Sequence, residues 1–212
     1  MKRDLRGLSA DVVADRLADA NWPEDPSSVE LPSARDWPPS WAAGASGGLI
    51  PAAVLFPLLE RRAGLSVLLT RRSSALKHHG GQVSFPGGRM EQDDADILHT
   101  ALRETEEEVG IPMSHVRVAG PLSTMPTITG YAVTPIVGFV PGDVRLTLDP
   151  VEVQTAFEVP LEFLLDAGNE TRTERVIEGV PVPLIEFSYG GERIWGATAA
   201  MIVELRETVL KQ

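Results

Sequence analysis

Glutamates crowd one short stretch of the sequence, RETEEEVG at residues 103–110, where four glutamates occupy five consecutive positions. On a helix that turns about 100° per residue, Glu104, Glu107 and Glu108 lie on one face, and Glu106 points to the other side. Like charges four residues apart destabilise a helix by about 0.2–0.5 kcal/mol, and anions near its C-terminal end cost about 0.3–1 kcal/mol each. A divalent cation among the three carboxylates would remove both costs, because Mg²⁺ prefers hard oxygen ligands. The alternative is an acidic face that is simply solvated.

A glycine turn, FPGG at residues 85–88, comes before this acidic stretch, with fourteen residues between Gly88 and Arg103. Glycine has no Cβ, so the backbone of such a turn can approach a metal ion or a phosphate closely. A pair of glycines alone is more typical of an ordinary turn before a helix. Together with the pattern RExxEExG, it predicts a metal or phosphate site where the loop meets the helix.

The residues around the glutamates predict a helix over residues 95–110, ADILHTALRETEEEVG. Asp94 or Asp96 can cap its beginning, and Gly110 followed by Pro112 can end it. The residues that share its apolar side are Ile97, Leu98, Ala101, Leu102, Thr105 and Val109. Because the three carboxylates border this side, we expect them at the rim of a groove.

Strand and helix patterns alternate along the rest of the chain. Apolar runs at 50–60 and 65–72 predict a hairpin, and residues 73–94 form a glycine-containing loop with a short strand at 82–85. Further predicted elements are a helix at 4–20, a proline-rich connector at 21–41, strands at 116–124 and 132–140, a helix at 160–167, a hairpin at 182–196 and a helix at 197–210. This interleaving is typical of a mixed α/β sandwich. We expect residues 1–45 to form an N-terminal helix and connector, and residues 46–212 the main domain.

Composition excludes several classes of function. The 212 residues carry a formal net charge of −11, which argues against general binding to nucleic acid or to anionic membranes, but not against a small phosphate-bearing molecule. There is no cysteine, and therefore no disulfide, thiolate ligand or cysteine nucleophile. The uncharged stretch 37–59 is interrupted by prolines and glycines, so we read it as a loop leading into a buried strand, not as a membrane span. The N-terminal residues lack the apolar core of a secretory signal, and we expect a cytoplasmic protein.

The loop and helix together resemble the Nudix box, Gx5Ex7REUxEExGU, in which U is a bulky apolar residue. The residues in register are Arg103, Glu104, Glu107, Glu108, Gly110 and Ile111. The chain departs from the box at Thr105, which replaces an apolar residue, and at Ala95, which replaces a glutamate. One extra residue also lies between the glycine and the helix.

The preceding stretch, LLTRRSSALKHHGGQVSFPGG at residues 68–88, resembles the pattern LLTxR(S/A)x3Rx3Gx3FPGG of coenzyme A-type Nudix pyrophosphatases. Lys77 stands where this pattern has arginine. Lysine keeps the positive charge but loses the planar two-pronged contact that arginine makes with phosphate.

The resemblance implies a Nudix α/β/α sandwich with a mixed sheet, and hydrolysis of a diphosphate linked to another group. For coenzyme A or its thioesters, the products would be 3′,5′-ADP and 4′-phosphopantetheine or its acyl derivative. Glu104, Glu107 and Glu108, with the backbone of Gly87, would hold Mg²⁺ or Mn²⁺, and Arg103 would orient the glutamates. The residues expected to bind substrate are Arg72, Lys77, Gly87 and Gly88. The general base stays open among Glu107, Glu108 and a loop acid such as Glu152, for which ordinary surface charge is the preferred interpretation.

Two alternatives keep the box but change the function. The substrate could be another nucleoside diphosphate derivative, such as ADP-ribose, NADH or a dinucleotide. The chain could also be a nucleotide-binding module that has lost catalysis, which Thr105 and Ala95 would permit. In each case the partner is a small molecule, and a homodimer is left open.

Overall fold

The computed structural model describes residues 8–31, 38–45, 48–75 and 79–211. The helices are α1 (Ala10–Leu17), α2 (Pro39–Ala45), α3 (Ile97–Val109), α4 (Leu161–Leu165) and α5 (Ala197–Leu210). The strands of the main sheet are β1 (Ile50–Arg61), β2 (Gly64–Arg72), β3 (Val83–Ser84), β4 (Gly87–Arg89), β5 (Arg117–Pro121), β6 (Met125–Pro126), β7 (Tyr131–Pro141) and β8 (Val153–Pro160). A smaller sheet contains β9 (Glu170–Ile177), β10 (Val180–Tyr189) and β11 (Glu192–Trp195). Lys77 and residues 4–7 of the predicted helix 4–20 lie outside the described residues.

The main sheet is mixed, with the order β3-β2-β1-β7-β5. β1 forms the predicted antiparallel hairpin with β2 and pairs in parallel with β7 over residues 50–60. β8 pairs with β2, and β4 pairs with β1. Most of β1 is buried on both faces, as expected for a central strand covered by helices on each side.

Alternation along β1 builds the two halves of the core. Ala53 and Leu55 pack on the side of α3, against Ile97 and Ala101. The next residue, Phe56, belongs to the larger cluster on the opposite face, which includes buried residues of α1, α4 and α5. This arrangement of helices on both faces of a mixed sheet confirms the predicted α/β sandwich.

Local sequence signals account for the bounds of α3. The Asp96 side chain accepts a hydrogen bond of 2.7 Å from the His99 backbone N–H, as an N-cap should. Gly110 ends the helix in the left-handed conformation, with a φ of 72°. Of the two aspartates considered as caps, Asp96 is therefore the one used.

Five of the described elements have no counterpart among the predicted helices and strands, namely α2, β4, β6, β8 and β9. α2 lies inside the uncharged stretch 37–59, for which the sequence predicts a loop leading into a buried strand, and this prediction is wrong for residues 39–45. β8 and β9 also carried no prediction, because neither has clean alternation of apolar and polar residues. Each strand is defined by its partner in the sheet instead of by its own sequence.

The N-terminal helix packs on the same core as the sheet. Val13 and Leu17 of α1 are almost fully buried in the larger cluster. The division into residues 1–45 and 46–212 stays a prediction, but α1 is packed as part of one folded unit. Across the described ranges, no helix is long and apolar enough to cross a membrane. The cytoplasmic location likewise stays a prediction.

Candidate active site

Pairing of β4 with β1 brings the glycine turn next to α3. Gly87 has a φ of 152°, and a Cβ at this position would lie 2.3 Å from the Ala53 carbonyl oxygen. At Gly88, a Cβ would lie 2.5 Å from the carboxyl carbon of Glu104. Only glycine permits this approach of loop backbone to strand and to carboxylate.

A cavity of about 360 Å³ opens where this turn meets the helix, and Gly87 and Gly88 form part of its wall. Charged side chains of both signs line the rest. The acidic ones are Glu91, Glu104, Glu107 and Glu152, and the basic ones are Arg72, Arg89 and Arg103. The cavity therefore offers carboxylates that could hold a cation, beside guanidinium groups that could hold a phosphate.

Glu108 is the most deeply buried carboxylate of the site, with 2% of its side chain exposed. Its Oε1 accepts a hydrogen bond of 3.2 Å from Arg72 Nη1, whereas its buried Oε2 has no hydrogen-bond partner among the described residues. Burial raises the pKa of the Glu108 carboxyl to about 8, although the positive charge of Arg72 acts in the opposite direction. Burial also raises the pKa of Glu104, against the effect of Arg103.

Arg103 joins the carboxylates of the helix to the loop. Its Nη1 lies 2.9 Å from Glu104 Oε1 and 3.1 Å from Glu107 Oε2. The opposite side of the guanidinium contacts both carboxylate oxygens of Asp94, at 2.9 and 3.0 Å. These ion pairs are the contacts expected of a residue that orients the neighbouring glutamates.

Asp94 is a site residue that the sequence prediction considered only as a helix cap. Its carboxylate is buried and accepts hydrogen bonds from Thr100 and from the Glu91 backbone, in addition to Arg103. The hydrogen bonds from Arg103 hold the pKa of Asp94 well below its ordinary value. Asp94 lies six residues after Gly88, and in the box the first glutamate also comes six residues after the glycine. Counting backwards from Arg103 gave Ala95, because the extra residue lies between the aspartate and the helix.

The other departure from the box is accommodated inside the helix. Thr105 is fully buried, and its hydroxyl donates a hydrogen bond of 2.6 Å to the Ala101 carbonyl. Its methyl group can therefore occupy the apolar position without leaving a polar atom unpaired. Glu106 is exposed, as predicted, and accepts a hydrogen bond of 3.1 Å from the Met113 backbone N–H just beyond the helix.

Glu152, for which ordinary surface charge is the preferred interpretation, lies at the cavity with 43% of its side chain exposed. The pairing of Val153 with Arg72 carries it to the site, where its Oε2 is 3.9 Å from Arg72 Nη2. Its backbone carbonyl also accepts a 2.7 Å hydrogen bond from Ser73. The placement depends on the β2–β8 register, a long-range feature with no local sequence signal.

The donor atoms suit a divalent cation. All are carboxylate or backbone oxygens, the ligands that Mg²⁺ and Mn²⁺ prefer, and the unpaired Oε2 of Glu108 is an atom that a cation would satisfy. Among the described residues, however, no three acidic or histidine side chains form a ready-made metal cluster. Arg72 pairs with Glu108, and Arg103 pairs with Glu104 and Glu107. A metal ion that binds these glutamates therefore competes with the two arginines.

Comparison with known proteins agrees with the fold and the box. The NUDIX domain family matches residues 49–179, more than half of the chain. Two Nudix hydrolases named NudL, both described as uncharacterized, are 42% identical to this chain over 158 residues, or 74% of this chain and 79% of theirs. They come from Yersinia pestis (strain Pestoides F) and Yersinia pseudotuberculosis serotype O:1b (strain IP 31758). The crystal structure of RenU, a Nudix hydrolase from M. smegmatis, matches with a TM-score of 0.51 and 20% identity, over 74% of this chain and 83% of that chain.

Together with the acidic helix and the glycine turn, the family match identifies a pyrophosphatase, an enzyme that hydrolyses phosphoanhydride bonds. The chain belongs to the Nudix hydrolase family. Members of this family act on small nucleotide-type substrates and generally use divalent metal ions such as Mg²⁺ or Mn²⁺. The predicted superfamily, fold and enzyme class are thereby confirmed.

Proposed function

We propose that this enzyme hydrolyses the diphosphate bond of coenzyme A or its thioesters, to 3′,5′-ADP and 4′-phosphopantetheine or its acyl derivative. One observation carries the proposal: two separate parts of the coenzyme A-type stretch lie on the same cavity as the box. Arg72 comes from its beginning, and Gly87 and Gly88 come from its end. A basic residue of the coenzyme A-type stretch therefore lies on the cavity that the box carboxylates Glu104 and Glu107 also line.

Charge in the cavity suits a diphosphate flanked by a further phosphate. Arg72 is held by Glu108 and Glu152, yet it lines the cavity and can redirect its guanidinium toward a phosphate. Arg89 also lines the cavity, and its side chain is 68% exposed. Two guanidinium groups from different strands thus offer separate sites for anionic groups of the substrate. We assign Lys77 a phosphate-binding role on the motif alone.

The proposed metal ligands are Glu104, Glu107, Glu108 and the backbone of Gly87. A bound Mg²⁺ or Mn²⁺ would neutralise the diphosphate and lower the pKa of an attacking water. The residues of the chain prepare that site: Arg103 holds Glu104 and Glu107 in place, and Asp94 holds Arg103. Burial raises the pKa of Glu108 even with Arg72 beside it, so the further positive charge of a metal ion would favour loss of its proton.

Product identification tests the proposal. Purified enzyme with Mg²⁺ or Mn²⁺ should release 3′,5′-ADP from coenzyme A, as seen by mass spectrometry, and Glu107→Gln or Glu108→Gln should abolish release. Glu106→Gln is the matched control, because its carboxylate is on the same helix but faces solvent. Full turnover by both site variants would refute the metal assignment.

A substrate panel separates the remaining readings. Dephospho-coenzyme A, ADP-ribose, NADH and a dinucleotide should be poorer substrates than coenzyme A. Faster turnover of any of them would leave the Nudix chemistry intact but overturn the coenzyme A assignment. Nucleotide binding with no hydrolysis of any substrate, with metal present, would show a binding module instead.

A further inference from the structure

The strand β9 forms an exposed edge of the smaller sheet, and none of its residues lines the cavity of the candidate active site. It pairs with β10 on one side, and no strand of the described chain pairs with its other side. Residues 171–176 are all exposed, so neither face of this stretch is covered. Such an edge is a template for pairing with another chain. We propose that β9 binds β9 of a second copy of this chain, in an antiparallel two-fold pair centred on Thr173.

Two prolines in β10 indicate which backbone groups of β9 face outward. Pro181 lies opposite Val176, and Pro183 lies opposite Glu174. Proline has no N–H, so these two positions belong to the non-hydrogen-bonded pairs of the ladder between β9 and β10. Because the two kinds of pair alternate, the residues whose N–H and C=O groups point to the free edge are Glu170, Arg172, Glu174 and Val176.

Symmetry restricts the registers that two copies of β9 can adopt. A two-fold axis perpendicular to the sheet keeps each residue on its own face, so one residue of the strand must lie opposite itself. Centring on Arg172, Glu174 or Arg175 would place two like charges opposite each other, which is destabilising. Centring on Thr173 pairs every outward-facing position of one strand with an outward-facing position of the other.

Charge complementarity favours the same register. With Thr173 at the centre, Arg172 lies opposite the partner subunit's Glu174, and the symmetric pair repeats this contact. Arg172 contacts Glu170 through Nε, which leaves its two terminal nitrogens for another carboxylate, and 64% of its side chain is exposed. Glu174 is exposed and forms no salt bridge within the described part of the chain. Val176, which is 70% exposed, lies within the paired region.

Charged residues on an edge strand can also serve to prevent pairing. That alternative predicts a monomer whose edge charges have no preferred register. The sequence of β9, ETRTERVI, instead places Arg172 opposite a glutamate when the pair is centred on Thr173. Centring on Thr171 would also pair Arg172 with a glutamate, but the two strands would then overlap only over residues 170–172. The proposal does not depend on the substrate, and its tests need no activity measurement.

A single introduced cysteine can show which residues of the two β9 strands lie opposite each other, because the chain has no cysteine of its own. At the two-fold axis, the two copies of Thr173 form a non-hydrogen-bonded pair with Cα atoms about 4.5 Å apart, within reach of a disulfide. Thr173→Cys should therefore give a covalent dimer under mild oxidation, seen on a non-reducing gel. Thr171→Cys is the matched control on the same face, and its two copies would be about 14 Å apart. Equal cross-linking of both variants, or none of Thr173→Cys, would overturn the proposal.

Charge reversal tests the same contact without a covalent bond. Sedimentation of the full-length chain should show a dimer, and Arg172→Glu or Glu174→Arg should each raise its dissociation constant about tenfold. The double variant Arg172→Glu/Glu174→Arg should restore the native dissociation constant, because each position 172 then again lies opposite a residue of opposite charge at position 174 of the other copy. Circular dichroism should show that each variant is folded. A monomeric native chain, or a dimer that neither reversal weakens, contradicts the proposal.

Discussion

Burial divides the glutamates of α3 into chemically different groups. The exposed fraction of the side chain rises from 2% at Glu108 to 14% at Glu104 and 61% at Glu107. A carboxylate in a dry environment resists ionisation, and burial accordingly raises the pKa of both Glu104 and Glu108. Glu108, whose pKa burial raises to about 8, is also the glutamate whose buried Oε2 has no hydrogen-bond partner in the part of the chain that the structure describes.

The raised pKa of Glu108 makes the metal-free protein sensitive to pH. The folded chain holds this proton up to about pH 8, whereas the unfolded chain releases it near the ordinary value of 4.5. Folding therefore binds a proton between these values, and the stability should fall as the pH rises through this window. We expect a loss on the order of a few kcal/mol in EDTA, measured by urea denaturation at pH 5, 6.5 and 8.

Glu108→Gln should remove most of this pH dependence, because an amide does not titrate. Glu106→Gln, on the exposed side of the same helix, should leave it unchanged. If the free energy of unfolding fell with pH equally steeply in the native chain and in Glu108→Gln, Glu108 would not be the group that titrates.

Asp94 is expected to act through Arg103. Asp94→Asn removes a buried negative charge and leaves the guanidinium without its main partner, which should cost about 3 kcal/mol of stability. Activity should fall about 10- to 100-fold, as for other residues that hold a ligand in place. Asp93→Asn is the control, since Asp93 is exposed one position earlier. Urea denaturation and hydrolysis rates measure the two effects, and wild-type behaviour of Asp94→Asn would exclude this role.

At the scale of elements, the site is assembled by strand pairing around β1. β4 holds the glycine turn against Ala53, and α3 packs on the same face of β1. β8 adds Glu152 through its pairing with β2. The loop between β2 and α3 is therefore anchored at both ends, and its backbone can lie within contact distance of a carboxylate.

The two glycines of the turn should respond differently to the same substitution. Gly88→Ala meets only the flexible end of Glu104, so we expect a clear loss of activity with little change in melting temperature. Gly87→Ala meets the backbone of β1 and requires a positive φ, so it should lower the melting temperature strongly. Thermal melts and rates on the same samples separate the effects. Equal destabilisation by both substitutions would contradict this view of the turn.

At the scale of the whole molecule, α1 and the sheet share one core. Leu17 is 1% exposed and packs in the larger cluster. Leu17→Ala should therefore cost about 3 kcal/mol of unfolding free energy, the usual range for a buried leucine. Val12→Ala, at a position 38% exposed on the same helix, should cost much less. Two separate urea transitions, with only one affected by Leu17→Ala, would instead support an independent N-terminal unit.

The sequence by itself determined the elements whose signals are local. The period of the apolar residues and the capping signals located α3, and the glycine-bounded apolar runs located the β1–β2 hairpin. Helical geometry also separated Glu106 from the other three glutamates. These features depend on residues within about one turn or one hairpin of each other, so the chain carries them without its tertiary context.

Only the tertiary structure decided the features that join distant segments. The roles of Asp94 and Glu152 depend on a lengthened loop and on the β2–β8 register, and the exposed edge of β9 depends on which strands pair with it. Burial of Glu108 likewise depends on segments far apart in the chain. Proton affinity and charge pairing follow from which atoms surround a group, and that environment exists only once the chain has folded.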